Sequence, residues 1–183
     1  MAEVPPSIPG LADCLTTLQS PNGTVSQPSP STLLRSLDGK LRVDLGQTSV
    51  ITNPVDRVVI LLDHVKLEAR TLPMDKTPGP PALPNRPNIP ALPSAGGGGN
   101  IEDLGKSMIQ GILAEGKRYT IPAPGTATAP TIAEVWTCTA TQLPVMSKIT
   151  GAFGVRTSIC KTAPVANPAP SSFQVPAGYK QLP

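Results

Sequence analysis

The chain has 183 residues, 39% hydrophobic and 15% charged, with a net charge of +3. Sparse charge without blocks argues against an acidic or polyampholyte disordered protein, and 24 prolines with 16 glycines argue against long helices. Only 3% of residues are aromatic, so a core must be built from Val, Ile, Leu and Ala.

In chain order, residues 2–10 are an extended, proline-rich entry, and Leu11 to Leu18 could form a strand or a helical turn. Pro21, Asn22-Gly23, Pro28 and Pro30 mark a turn and loop. Leu33 to Leu37 reads as a strand, Asp38-Gly39 as a two-residue hairpin turn with positive φ at both positions, and Lys40 to Leu45 as the partner strand. There Leu41, Val43 and Leu45 alternate with Lys40, Arg42 and Asp44, giving one buried and one wet face. Thr48 to Asn53 and Val58 to Leu62 follow, the latter apolar on both sides and so central. Val65, Leu67 and Ala69 then alternate with Lys66, Glu68 and Arg70, completing a meander of roughly five strands.

From Pro73 to Gly99 the alternation stops, and prolines mark a polyproline-like arm ending in Gly96 to Gly99. Leu83, Ile89 and Leu92 recur in it, which suits a segment that docks on its own domain or on a neighbour. Strands are then expected at Lys106 to Ile109, Ile112 to Pro122, Ile132 to Thr139, Leu143 to Thr150 and Val155 to Lys161, before an anchor carrying Phe173 and Tyr179. The organisation is an N-terminal segment (1–32), a first half-meander (33–72), an arm (73–100) and a second half-meander with the C-terminal anchor (101–183).

The order Asp38-Gly39-Lys40-Leu41-Arg42-Val43, Ile51-Thr52-Asn53-Pro54 and Leu62-Asp63-His64, then Asp103-Leu104-Gly105, Glu115-Gly116-Lys117-Arg118, Glu134-Val135-Trp136, Leu143-Pro144-Val145-Met146 and Phe173-Gln174-Val175-Pro176-Ala177-Gly178-Tyr179 resembles uncharacterised, secreted bacterial proteins. These are related in pattern to periplasmic lipoprotein-carrier half-barrels. The resemblance implies an exported antiparallel sheet curled over an apolar groove, without catalytic residues. The chain departs from it in its longer arm and in lacking a lipid-attachment cysteine at the start.

No constellation of residues amounts to an active site. His64 reads as an exposed turn histidine, with Asp63 adjacent rather than across from it. Glu115 and Glu134 are read as solvent-facing partners of Lys117 or Arg118 rather than as paired acids. Three cysteines without C-x-x-C spacing argue against a zinc site, and no cofactor is expected. Cys138 and Cys160, in neighbouring strands, are the candidate disulfide pair, three buried thiols being the alternative. The scattered basic residues read as solvated strand faces, with no aromatics interleaved to bind nucleic acid. No apolar run reaches membrane-span length. The start reads as a mature end whose leader has been removed, placing the protein outside the cytoplasm.

The expectation is therefore all-β: a curved antiparallel sheet of roughly nine or ten strands, half-barrel-like, with a Pro/Gly arm between its halves. It is read as a non-enzymatic module binding lipid or a lipidated chain on the concave face, lined by Leu41, Val43, Ile60, Leu62, Trp136 and Met146. The alternative is a structural subunit of an extracellular assembly, homo-oligomeric or docked on another protein through the arm or an open sheet edge.

Overall fold

The computed structural model describes residues 8–74, 100–122 and 129–182. Twelve strands form one open sheet. They are β1 (Gly10–Gln19), β2 (Ser29–Arg35), β3 (Leu41–Asp44), β4 (Thr48–Asn53), β5 (Val58–Asp63), β6 (Glu68–Pro73), β7 (Asn100–Ile109), β8 (Ile112–Ile121), β9 (Thr131–Cys138), β10 (Pro144–Gly151), β11 (Gly154–Pro164) and β12 (Lys180–Leu182). The order across the sheet is β12-β6-β5-β4-β3-β2-β1-β11-β10-β9-β8-β7. Every pairing is antiparallel except the parallel one between β12 and β6. β7 and β12 are the two edges, and the sheet is not closed into a barrel.

Two meanders, β1 to β6 and β7 to β11, meet at a seam where β1 pairs with β11 from Gly10↔Pro164 to Gln19↔Val155. Cys14 and Cys160 are direct partners in that register and form a disulfide. Cys138 is a buried free thiol, so the expected Cys138–Cys160 pair is replaced by Cys14–Cys160. The reason is topological: β9, which carries Cys138, is separated from β11 by β10, whereas β1 lies against β11.

Several local expectations change where side chains take over turn hydrogen bonds. Leu11 to Leu18 is strand, as part of β1. The turn between β2 and β3 is wider than two residues: the Ser36 N–H donates to the Lys40 carbonyl at 3.0 Å and the Gly39 N–H to the Ser36 carbonyl at 3.2 Å. Gly39 has φ 82°, while Asp38 is not in the left-handed region. Its carboxylate instead takes a hydrogen bond from Ser36 and an ion pair from Lys40. Val65 and Leu67 are turn residues rather than strand. Asp63 Oδ1 accepts the N–H groups of Val65 at 3.0 Å and Lys66 at 2.9 Å, and β6 begins at Glu68. The proposed arm, with Leu83, Ile89 and Leu92, lies outside the described residues apart from its first two and last.

Cross-strand partners share a face, so the register defines the two surfaces. On one, Ile51, Ile60, Leu62 and Ala69 form a buried cluster with Phe173, and Leu34, Val175 and Tyr179 pack against it. Phe173 comes from a short 3-10 helix, Pro170–Phe173, that lies over β3 and β4. Burying that ring contributes about 2 to 3 kcal/mol. The segment is fixed further by Arg42 Nη1, which donates to the Ser172 carbonyl at 3.1 Å, and by β12 on β6. We call this the Phe173 face, and the opposite surface the Val43 face.

Candidate functional site

The Val43 face is built from two adjacent cross-strand rows over β1 to β6. One runs Ala12, Leu33, Val43, Val50, Leu61, Arg70. The next runs Gly10, Arg35, Leu41, Thr52, Val59, Leu72. Most of these side chains are β-branched or leucine, as a packed strand surface requires. At the β1 end Leu33 and Leu41 pack against the cluster of Ala12, Cys14, Leu143 and Cys160. Farther out, the described elements with substantial contacts to β2 through β6 are sheet neighbours and the 3-10 helix, which occupies the opposite face. The result is a half-buried apolar strip with an arginine near one end and another at the far edge.

The six side chains expected to line one surface are divided. Leu41 and Val43 lie in the strip. Ile60 and Leu62 point the other way and are sealed beneath Phe173. The register explains this: Val43 opposes Val50, and Val50 opposes Leu61, so the residues flanking Leu61 belong to the Phe173 face. Trp136 and Met146 are direct partners, also on the Phe173 face but toward the far edge. There Trp136 packs against Ala114, Cys138 and Val145.

Two polar clusters lie on the Phe173 face. Arg118 donates through Nε to Glu134 Oε1 at 3.0 Å and through Nη1 to Glu102 Oε2 at 2.8 Å. These bonds, Glu134 first, raise its pKa further, and Glu134 is thereby an ion-pair partner rather than one of a carboxylate pair. A shallow depression of about 310 Å³ lies here, lined by Arg118, Ile132, Glu134, Lys148 and Thr150.

The second cluster centres on His64, which is half-buried rather than exposed. Ser49 contacts Asp44 and, at 2.6 Å, His64 Nε2; His64 Nδ1 meets the Tyr179 hydroxyl at 2.5 Å. A carboxylate only accepts, so Ser49 donates to Asp44 and His64 Nε2–H donates to Ser49; in the neutral imidazole Nδ1 then accepts from the Tyr179 hydroxyl. The protons therefore run toward Asp44. A Ser-His-Asp triad requires the acid on the imidazole and the serine proton on the histidine. Ser49 is 1% exposed, which also keeps its oxygen from a substrate. The cluster ties the C-terminal segment to the β5–β6 turn.

Burial raises the Cys138 thiol pKa, but hydrogen bonds from the Thr141 side chain and from the Thr141 and Ala140 backbone outweigh it, and the net shift is downward. Among the described residues no group of three or more His, Cys, Asp or Glu could hold a metal ion, and no helix is long and apolar enough to cross a membrane.

No protein-family model matches the sequence, and the search of curated proteins finds no match. Solved structures do share the architecture. An uncharacterized conserved protein from Thermus thermophilus is similar at TM-score 0.57 and 10% identity, over 96% of this chain and 90% of that one. The protein PNGF-II is similar at TM-score 0.55 and 7% identity; the match covers 96% of this chain but only 31% of PNGF-II. The Mycobacterium tuberculosis lipoprotein LppX matches at TM-score 0.37 and 16% identity, over 85% of each chain. The class defined by fold is thus an all-β, open, mostly antiparallel sheet. The match to the uncharacterized Thermus thermophilus protein agrees with the fold that the resemblance drawn from the sequence implies. At these identities the likeness concerns the fold alone.

Proposed function

We propose that the protein is an exported, non-enzymatic binding module that takes an apolar chain, from a lipid or a lipidated protein, along the Val43 face. One observation carries this reading: Val43, Val50 and Leu61, continuing from Leu33 at the seam, form an apolar row over which no described strand or helix packs substantially, while Phe173 seals the reverse side of the same strands. Leaving such a strip in water costs about 25 cal/mol per Å² of apolar surface, and a hydrocarbon chain removes that cost. The Cys14–Cys160 disulfide suits an oxidising compartment. A photoactivatable palmitate analogue should crosslink to peptides from β2 to β5. Crosslinks confined to the Trp136 region would move the site to the other face.

A second reading has its own support. β7 is a ten-residue edge strand, exposed along nearly its whole length, and an open edge of that length accepts a strand from another subunit. In this reading the protein is a structural subunit, with Leu83, Ile89 and Leu92 docking on a neighbour or a second copy. Sedimentation of the delipidated protein separates the two: concentration-dependent assembly without ligand favours the subunit.

A further inference from the structure

Arg35 is the one described residue whose side chain holds a buried polar atom without a partner: its Nε–H donates to no group. A dry, unpaired donor on a charged group is costly. Such groups are few in native proteins, and completion by a bound molecule is one way they are accommodated.

Its surroundings say what that molecule carries. Arg35 lies on the Val43 face between Gly10 and Leu41. Gly10 leaves room that Thr141 and Leu143 fill: a Cβ at Gly10 would stand 2.8 Å from Thr141 Cβ and 2.9 Å from Leu143 Cδ1. Thr141 and Leu143 thus stand over Gly10, the cross-strand partner of Arg35 on one side, and Leu41 is its partner on the other. Neither of these two rows holds a carboxylate; their only charged members are Arg35 and Arg70, and Asp63 and Glu68 lie one row beyond, on the Arg70 side. Arg35 makes no ion pair among the described residues.

We propose that Arg35 anchors the head of a single-chain amphiphile with an acidic oxygen head, carboxylate or phosphate, whose tail lies over Leu33, Val43, Val50 and Leu61. The assignment rests on the apolar-binding reading above and adds the polar end of the ligand. A guanidinium pairs with such a head through parallel N–H donors, and the surrounding apolar side chains strengthen that pairing.

The test uses delipidated full-length protein titrated calorimetrically with palmitate, hexadecyl phosphate and hexadecanol. Both acids should bind at least about tenfold more tightly than the alcohol, and the tighter of the two identifies the head. Arg35→Met should bring all three to near parity, while Arg70→Met leaves the preference in place. Ligand-free Arg35→Met should melt at the same temperature or higher, because it removes an unpaired buried donor and keeps the apolar stem. Equal binding of acids and alcohol by the native protein would overturn the head-group assignment and leave the apolar site standing. Binding of none of the three would remove both. A lower melting temperature for Arg35→Met, or loss of the preference in Arg70→Met, would also overturn the assignment: the first makes Arg35 a packing residue, the second makes the effect one of general charge.

Discussion

Replacing both Cys14 and Cys160 with alanine removes the covalent tie across the seam between the two meanders. The half-cystines are 146 residues apart in sequence and directly opposite in the β1–β11 register. Closing a loop of that length in the unfolded chain removes conformational entropy worth about 5 kcal/mol at 25 °C by the chain-entropy model, before any change in the folded state. Cys14 and Cys160 are 5% and 2% exposed, so the paired alanines also lose some packing. A domain of this size has a total stability of about 5 to 15 kcal/mol. Equilibrium urea unfolding of the double variant should therefore show the midpoint falling by a third or more. A loss below about 1 kcal/mol would refute the entropic argument. Peptide mapping of the oxidised native protein should recover Cys14 joined to Cys160 and Cys138 as a free thiol; a Cys138 disulfide would contradict the strand order itself.

Phe173→Ala empties the centre of the cluster under the C-terminal segment. A full core truncation costs about 3 to 5 kcal/mol. β12 is only three residues long, so the expected result is release of that segment, seen as faster amide exchange at Lys180–Leu182 while β1 and β11 stay protected. Tyr179→Phe removes the donor to His64 Nδ1 and should cost about 1 kcal/mol in thermal or urea unfolding. The Asp38 carboxyl is held below its usual value by hydrogen bonds from Lys40 and Ser36, and that of Asp63 by the Lys66 N–H. A depressed folded pKa gives stability that is complete above the ordinary aspartate value of 3.8 and lost as pH falls through the lowered one. Asp38→Asn with Asp63→Asn should accordingly lower stability at neutral pH, leave it little changed in strong acid, and so flatten the acid limb of the stability profile.

Much of the sheet can be read from the chain because alternation with a period of two survives wherever one side of a strand is buried, as from Leu41 to Leu45. Assigning residues to faces is harder. Val58 to Leu62 is apolar at every position, so alternation alone does not say whether Ile60 or Leu61 accompanies Val43; the pairing through Val50 decides for Leu61. Val65 and Leu67 continue the alternating pattern by composition, yet the Asp63 side chain captures two backbone N–H groups and makes a turn. The parallel pairing of β12 with β6 joins residues more than a hundred positions apart through three pairs, too few to leave a periodic trace. His64 reads as a plain turn residue in the sequence because its partners, Ser49 and Tyr179, come from another strand and from the far end of the chain. Arg35 reads there as one more solvated cation. Its special position depends on Gly10 and on the Thr141 and Leu143 wall, which only the seam between the meanders brings together.

The central claim, an apolar ligand on the Val43 face, is tested most directly by native mass spectrometry of protein purified from its natural source, beside the same protein carrying Val43→Glu. The expected result is a monomer with extra mass in the range of a single lipid, lost in the variant although its melting temperature stays close to that of the native protein. A ligand-free monomer, a ligand-free oligomer, or bound mass unaffected by Val43→Glu would contradict it.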